Sequence, residues 1–218
     1  MEKLIIEAAD FLAQKNIDAL VLACHTASIL MTEKLNRRYP FRVIGMKSGI
    51  VEPYPLNNLK KTLICGTDLS VHFWKNQLQF HPINAEFLSL QKLVRFAEKF
   101  EFDTPENFDY LYSKLARINW TNYEAILLGC THFPFFKSQI RSLLPGHVKI
   151  LDGSKQTVQQ LQTFIPTTDF KGLNTIDYFI SKKHQSALFF SKYFDILEQD
   201  AFPLINPSQK HIANPSYP

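Results

Sequence analysis

Short continuous apolar segments that alternate with segments of helical hydrophobic spacing constrain the fold of this chain most strongly. Apolar residues recur at helical spacing over about 2–15, and after Asn16 the chain enters the uninterrupted apolar run 19–23. A predicted helix after Thr26 and a predicted strand over 42–45 repeat this order. Such alternation predicts a mostly parallel α/β sheet covered by helices.

The rest of the chain continues the pattern. Further strands are predicted at 62–65, 125–128, 148–151 and near 175–180. Helices are predicted from about Asp68, over 85–100 and 105–118, from Phe135, from Ser154, and up to Leu197 before a proline-containing tail. The alternation therefore extends over nearly all of the sequence.

Composition excludes several classes of protein. The 218 residues are 45% hydrophobic and 20% charged, as in ordinary globular proteins. No apolar run approaches the ~18 to 20 residues of a membrane span, and Glu2, Glu7 and Asp10 argue against a signal peptide. We therefore expect a cytoplasmic protein with no membrane partner.

The charge pattern argues against a nucleic-acid partner. The net charge of +4 comes from short basic pairs spread along the chain, which is too thin for a nucleic-acid footprint but mildly favours anionic small molecules. The glycine-rich motifs of dinucleotide and nucleotide binding and the serine-hydrolase G-x-S-x-G motif do not occur in the sequence.

Two segments of the chain resemble each other. Residues 18–26 and 124–132 each contain an acid, a predicted buried strand, and then a cysteine, Cys24 or Cys130, beside threonine and histidine. Ligands of open parallel sheets bind beyond the carboxyl ends of the strands. We interpret the pair as a pseudo-duplication in which one cysteine from each half faces a shared cleft.

Two such thiols suit proton transfer at a carbon next to a carboxylate, because inversion needs one acid/base group on each face of that carbon. A helix N-terminus favours the thiolate, so we expect each strand-to-helix turn to prepare one. Backbone N–H groups, with Thr26, Ser28 and Thr131, are suitably placed in the sequence to support the carboxylate.

Several motifs resemble those of glutamate racemases, in the aspartate/glutamate racemase superfamily. Residues 23–28 (Ala-Cys-His-Thr-Ala-Ser) resemble the first cysteine motif, and residues 128–134 (Leu-Gly-Cys-Thr-His-Phe-Pro) resemble the second. Residues 66–71 resemble the G-T-x-x-T-V substrate loop, with Ser70 in place of the second threonine. Residues 151–153 and 179–181 also resemble family segments, so the resemblance covers nearly the whole chain.

The resemblance implies a cofactor-independent amino-acid racemase, usually a homodimer, that makes D-glutamate for peptidoglycan. It implies two pseudo-symmetric parallel-sheet domains, one formed by residues 1–47 with 152–218 and the other by 48–151. Its motifs imply proton transfer by Cys24 and Cys130 with help from His132. They also imply substrate binding by His25, Thr26, Thr67, Ser70 and Thr131.

Two departures from the family leave the function open. His25 stands where the family has asparagine, and an imidazole is larger and titrates near ~6.5, so substrate choice is open. The family's opening strand with its Asp-Ser-Gly turn, and its Pro-Tyr-Gly loop, have no counterpart, so we expect an incomplete first domain. A late-placed coding start, a piece supplied otherwise, and a decayed or repurposed relative are the alternatives. The corresponding alternative functions are a catalytically impaired racemase-like protein and a racemase for aspartate or a related substrate.

Simpler interpretations exist for some of these residues. Cys65, inside an apolar run, is expected to be a packing residue. Thr67 and Ser70 can cap the helix that follows, which is compatible with substrate binding. Cys24 with His25 and Cys130 with His132 offer metal ligands, but their spacing is not that of structural zinc sites, and no metal is expected.

Overall fold

The computed structural model describes most of the chain. The described residues are 1–46, 60–78, 84–165 and Phe179, together with the backbone of 176–177 and 210–211. The chain divides into two compact units, Met1–Pro166 and Thr167–Pro218. In the second unit, β7 (Ile176–Asp177) pairs in parallel with β8 (Lys210–His211).

Helices and strands alternate along the first unit. Its helices are α1 (Glu2–Ala13), α2 (His25–Arg38), α3 (Asp68–Leu78), α4 (Lys92–Glu98), α5 (Pro105–Leu115), α6 (Lys137–Leu143) and α7 (Ser154–Gln162). Its strands are β1 (Ala19–Leu22), β2 (Arg42–Gly45), β3 (Lys61–Gly66), β4 (Ala85–Ser89), β5 (Tyr123–Leu128) and β6 (Lys149–Asp152).

Among the described residues, β1 and β2 form a two-stranded parallel sheet, with Leu22 opposite Gly45. The apolar faces of α1 and α2 bury this sheet in one small core. Its fully or nearly fully buried members are Ala9, Leu22, Met31, Leu35 and Val43. The apolar residues of α1 recur at helical spacing because they form the face that packs against α2 and the β1–β2 sheet.

The other four strands form a parallel sheet in the order β4-β3-β5-β6. Its central strands are buried on both faces, as parallel sheets require. On one face Cys65 and Ile126 pack in the large core that includes residues of α4 and α5. On the other face Ile64 and Leu127 pack against Trp74 of α3. The predicted α/β fold with parallel sheets is thus confirmed.

Two element predictions were wrong in part. The segment 85–100 was predicted to be one helix, but Ala85–Ser89 is strand β4 and only Lys92–Glu98 is helical. A short apolar run does not distinguish a strand from a helix, and here pairing with β3 decides. The helix predicted from Phe135 begins as a 3-10 turn at Phe133–Phe136 before α6.

After β6 the chain returns to the β1–β2 sheet, because α7 packs against β2. The hydroxyl of Thr157 lies 3.7 Å from the sulfur of Met46, which follows β2. The predicted domain boundaries stay a prediction, as do the helix to Leu197 and the tail, which lie outside the described residues.

Within the described part of the chain, no helix is both long enough and apolar enough to cross a membrane.

Ser28 joins the ends of three elements. Its hydroxyl oxygen lies 2.9 Å from the carbonyl oxygen of Leu22 and 2.8 Å from that of Cys24, and it accepts the N–H of Met46 at 2.8 Å. The hydroxyl is therefore committed to the backbone where β1, β2 and α2 meet. A hydrogen bond from Ser28 to a substrate carboxylate, as expected from the sequence, would have to compete with these backbone bonds.

Replacing Ser28 with alanine should lower the free energy of unfolding by about 1 to 3 kcal/mol, because the N–H of Met46 loses its partner in a partly buried setting. Urea denaturation followed by circular dichroism measures the change. Ser113→Ala is the matched control, since Ser113 is exposed and bonds only within α5. Equal stability losses in the two variants would contradict this account of Ser28.

Candidate functional site

The carboxyl ends of the strands in both sheets carry the residues that the motifs single out. Cys24 follows β1, Thr67 follows β3, and Cys130 follows β5. Asp152 ends β6 in the same sheet as β3 and β5. Parallel pairing places the ends of β3, β5 and β6 at one edge, which is where ligands of open α/β sheets bind.

Cys24 occupies the N-cap position of α2 in an extended conformation, with φ −152° and ψ 120°. Its carbonyl oxygen accepts the N–H of Ser28 at 2.8 Å, so the backbone is fixed by the first turn of the helix. The Cys24 side chain itself is exposed and not in a disulfide. A nucleophilic or basic group in this position can meet a ligand without displacing protein atoms.

Cys130 is in a different environment, because only 8% of the residue is exposed. Burial raises the pKa of the Cys130 thiol to about 11, the nearby Cys24 acts in the same direction, and the backbone N–H of His132 opposes both. Burial at this turn therefore favours the neutral thiol, against the expected preference for a thiolate. The turn leads into a 3-10 segment, and burial outweighs the hydrogen bond that favours the charge.

The electrostatic effect of Cys24 on Cys130 shows that the two thiols lie within range of one another. Each comes from a different parallel sheet, and both follow the carboxyl end of a strand. The two cysteines that the sequence pairs by motif therefore both follow strand ends and lie within electrostatic range of each other. Their roles stay a prediction.

His132 contacts Cys130 directly, with Nδ1 3.7 Å from Sγ. Burial lowers the pKa of His132, and the charge of Glu98 at the end of α4 partly opposes this. The imidazole is therefore neutral at neutral pH, and a neutral imidazole can both accept and return a proton. This arrangement makes His132 suitable for proton exchange with the Cys130 thiol.

His25, the first residue of α2, is only 4% exposed. Neither ring nitrogen has a hydrogen-bond partner among the described residues. Burial lowers the pKa of His25 to about 4 against the opposing charge of Asp152, so the ring is neutral. The ring meets that of Trp74 edge to face, with centroids 6.1 Å apart. Substrate binding by His25 stays a prediction.

Thr67 and Ser70 bind each other at the start of α3. The N–H of Thr67 donates to the Ser70 hydroxyl at 2.9 Å, and the two hydroxyl oxygens are 2.8 Å apart. The N–H of Ser70, which is 1% exposed, donates to the Thr67 hydroxyl at 3.2 Å, so the two residues cap the start of α3. Thr26 and Thr131, beside the two cysteines, are half-buried. The substrate-binding roles of these four residues stay predictions.

The sequence reasoning did not single out three neighbours of these residues. Trp74 contacts His25, Asp152 acts on His25, and Glu98 acts on His132. In the sequence, Asp152 is noted only as part of the family-like segment 151–153. Ser70 and Trp74 are four residues apart, so helical spacing places both on one face of α3. This spacing is the sequence signal that could have identified Trp74.

Cys65 is fully buried in the large core, and burial raises its pKa well above the ordinary value for a thiol. The expectation that Cys65 is a packing residue is confirmed. Over the described ranges, no group of three or more histidine, cysteine or acidic side chains is placed to hold a metal ion.

Comparisons with known proteins identify the family. The model of the Asp/Glu/Hydantoin racemase family matches residues 2–161, so the chain belongs to this family. The chain is 33% identical over 204 residues to a glutamate racemase of Halothermothrix orenii, covering 89% of this chain and 80% of that protein. It is also 33% identical over 212 residues to glutamate racemase 2 of Bacillus subtilis, covering 91% of this chain and 80% of the relative.

Solved structures share the fold. A glutamate racemase isoform of Bacillus anthracis matches with a TM-score of 0.75 at 21% identity, over 97% of this chain and 79% of that one. The glutamate racemase of Francisella tularensis, solved with D-glutamate, matches with a TM-score of 0.74 at 20% identity, over the same shares of the two chains. The predicted membership of the aspartate/glutamate racemase superfamily is confirmed.

The three cysteines should react with iodoacetamide in a fixed order. At pH 8, Cys24 should be alkylated first because it is exposed, Cys130 should follow slowly because its pKa is about 11, and Cys65 should react only after unfolding. The Cys130 rate should rise as the pH approaches that pKa. Mass spectrometry of timed digests measures each rate, and Cys130 reacting before Cys24 would contradict the described environments.

Burial of neutral His25 should make stability depend on pH. Its pKa is 6.5 when unfolded and about 4 when folded, so the unfolded chain binds more protons between these values. The free energy of unfolding should therefore fall as pH decreases below 6.5, by at most about 3 kcal/mol from this group. His132 adds a contribution of the same sign.

Denaturation of His25→Asn between pH 6.5 and about 4.5, above the ordinary range of carboxyl groups, tests this expectation. The substitution should reduce the pH slope of the unfolding free energy. His72→Asn, on the exposed side of α3, is the matched control. A slope that His25→Asn leaves unchanged would show that the ring is not enclosed as described.

Proposed function

We propose that this chain is a cofactor-independent amino-acid racemase that interconverts L- and D-glutamate by proton transfer through Cys24 and Cys130. The observation that carries the proposal is the pair of thiols at strand ends of two parallel sheets, close enough that one acts electrostatically on the other. Membership of the racemase family and 33% identity to glutamate racemases support it.

The proposed reaction exchanges one proton for another at Cα. A thiolate on one face removes the Cα proton, and the electron pair of the C–H bond passes into the adjacent carboxylate. The thiol on the opposite face then donates its proton to Cα, and the electron pair forms the new C–H bond with inverted configuration. One sulfur gains a proton and the other loses one, so the enzyme ends in the opposite protonation state.

The environments of the two thiols suggest the protonation state in which each one begins the reaction. The raised pKa of Cys130 favours it as the proton donor, so we assign the first proton removal to Cys24. In the reverse reaction Cys130 must become the thiolate, and His132 at 3.7 Å can take up its proton. We therefore propose His132 as the residue that assists at the second thiol.

Binding of the substrate is proposed for the residues around the strand ends. The free N–H groups at the start of α2 and the hydroxyl groups of Thr26 and Thr131 suit a carboxylate, since a helix N-terminus attracts anions. Thr67 and Ser70 at the start of α3 would bind the other polar groups of the amino acid. His25 would bind as a neutral ring, and it would have to gain access to the ligand from its buried position.

The biological role follows from the product. The relatives named above are glutamate racemases, and D-glutamate is a component of peptidoglycan, so we propose a role in cell-wall synthesis. We also propose that the chain forms a homodimer, and that its two domains are residues 1–47 with 152–218 and residues 48–151.

His25 favours a second candidate substrate. An imidazole is larger than the family's asparagine amide and leaves less space, so a shorter acid such as aspartate is the alternative. Turnover of glutamate, aspartate and hydantoins by the same preparation distinguishes these choices. Inactivity on all three would favour the catalytically impaired racemase-like protein.

Replacing either Cys24 or Cys130 with alanine should lower the rate of racemisation by about 100- to 10,000-fold, because one face of Cα then lacks its only acid/base group. Chiral chromatography of the amino acid and deuterium incorporation at Cα in D2O measure the loss. Cys65→Ala is the matched control, and it should keep its activity since Cys65 lies in the core. Undiminished exchange in both active-site variants would rule out the mechanism.

A further inference from the structure

The indole of Trp74 connects the turns that carry the candidate site. Trp74 is 3% exposed and lies on the face of the sheet that includes Ile64 and Leu127. It reaches the carboxyl ends of both central strands, β3 and β5, at Gly66 and Gly129. No part of the proposed reaction uses this side chain.

The contact with Gly129 is the closest of these. A Cβ built on Gly129 would lie 2.0 Å from Cη2 and 2.4 Å from Cζ3 of Trp74, and 2.8 Å from the carbonyl oxygen of Cys65. Only glycine fits between the indole and that carbonyl. Gly129 immediately precedes Cys130, so the ring supports the backbone that presents this thiol.

The same ring contacts the residue that follows the other thiol. Its edge-to-face contact with His25 joins α3 to the start of α2. His25 has no hydrogen-bond partner among the described residues, so packing contacts such as that with Trp74 orient its ring. At Gly66, a Cβ would lie 3.1 Å from Cζ3 of Trp74, directly before Thr67.

We propose that Trp74 is a positioning residue, whose indole holds the Cys130 turn and the His25 ring beside Cys24 in fixed relative positions. This inference rests on the proposed function for its catalytic consequence. Trp74 acts on the site through its contacts with Gly129 and His25. Displacement of a reacting group by about 1 Å can reduce a rate about 100-fold, so a packing residue at this point can control turnover.

Trp74→Leu tests the proposal, with Trp74→Phe as the conservative variant and Trp120→Phe as the matched control. Trp120 is also buried, but it packs near Tyr123 at the opposite end of β5. Trp74→Leu should lower kcat for glutamate by about 10- to 100-fold with little change in KM. Trp74→Phe should recover most of that loss, and Trp120→Phe should leave kcat close to the wild-type value.

The rate of Cys130 alkylation by iodoacetamide provides a readout that does not depend on racemase activity. Loss of the indole should loosen the Gly129 turn and increase this rate several-fold, whereas Trp120→Phe should not. If the wild-type protein does not racemise glutamate, the proposed function fails, and the alkylation rates alone decide whether Trp74 positions the turn. Folded Trp74→Leu protein with wild-type kcat, or with the wild-type Cys130 alkylation rate, overturns the proposal.

A third measurement covers the case in which Trp74→Leu does not fold. The chain has two tryptophans, so Trp74 is the sole tryptophan in a Cys24→Ser, Trp120→Phe protein. Alkylation of Cys130 in this protein should shift the emission of Trp74, since the modified turn lies against the ring. Unchanged emission after complete alkylation overturns the proposal.

Discussion

The parallel ladder between β3 and β5 determines where the candidate site forms. It pairs Ile64 with Leu127 and Cys65 with Leu128, so the two strands end together. Each strand is buried on both faces, and a shift of one residue would exchange the side chains of the two cores. The positions of Thr67 and Cys130 are therefore fixed by the packing of apolar residues that take no part in the chemistry.

Unequal burial distinguishes two otherwise similar cysteine turns. Cys24 is exposed at the start of a long helix, whereas Cys130 is buried beside His132 and a short 3-10 segment. The cost of burying a charge keeps Cys130 protonated, so the local symmetry of the sequence does not extend to the proton affinities. A reaction that runs in both directions needs a means to compensate for this difference, and His132 is the proposed means.

The sequence predicted those elements whose apolar pattern was long or repeated. The helix over 2–15, the strands at 19–23 and 125–128, and the parallel α/β class were predicted correctly in type. Strand β4 was missed because its local pattern also fits a helix, and its conformation depends on pairing with a distant strand. The paired cysteines were found from their local repeats, but Trp74 and Asp152 approach His25 only through tertiary packing.

The sequence alone determined that the chain alternates helices and strands and that two cysteines follow strands in similar contexts. Both properties are local, because they depend on hydrophobic period and on short motifs. Tertiary structure alone decided that Cys130 is buried, that His25 is enclosed without a hydrogen-bond partner, and that Trp74 lies against Gly129. Burial and ring contacts join residues far apart along the chain, so they arise only when the sheets and helices pack.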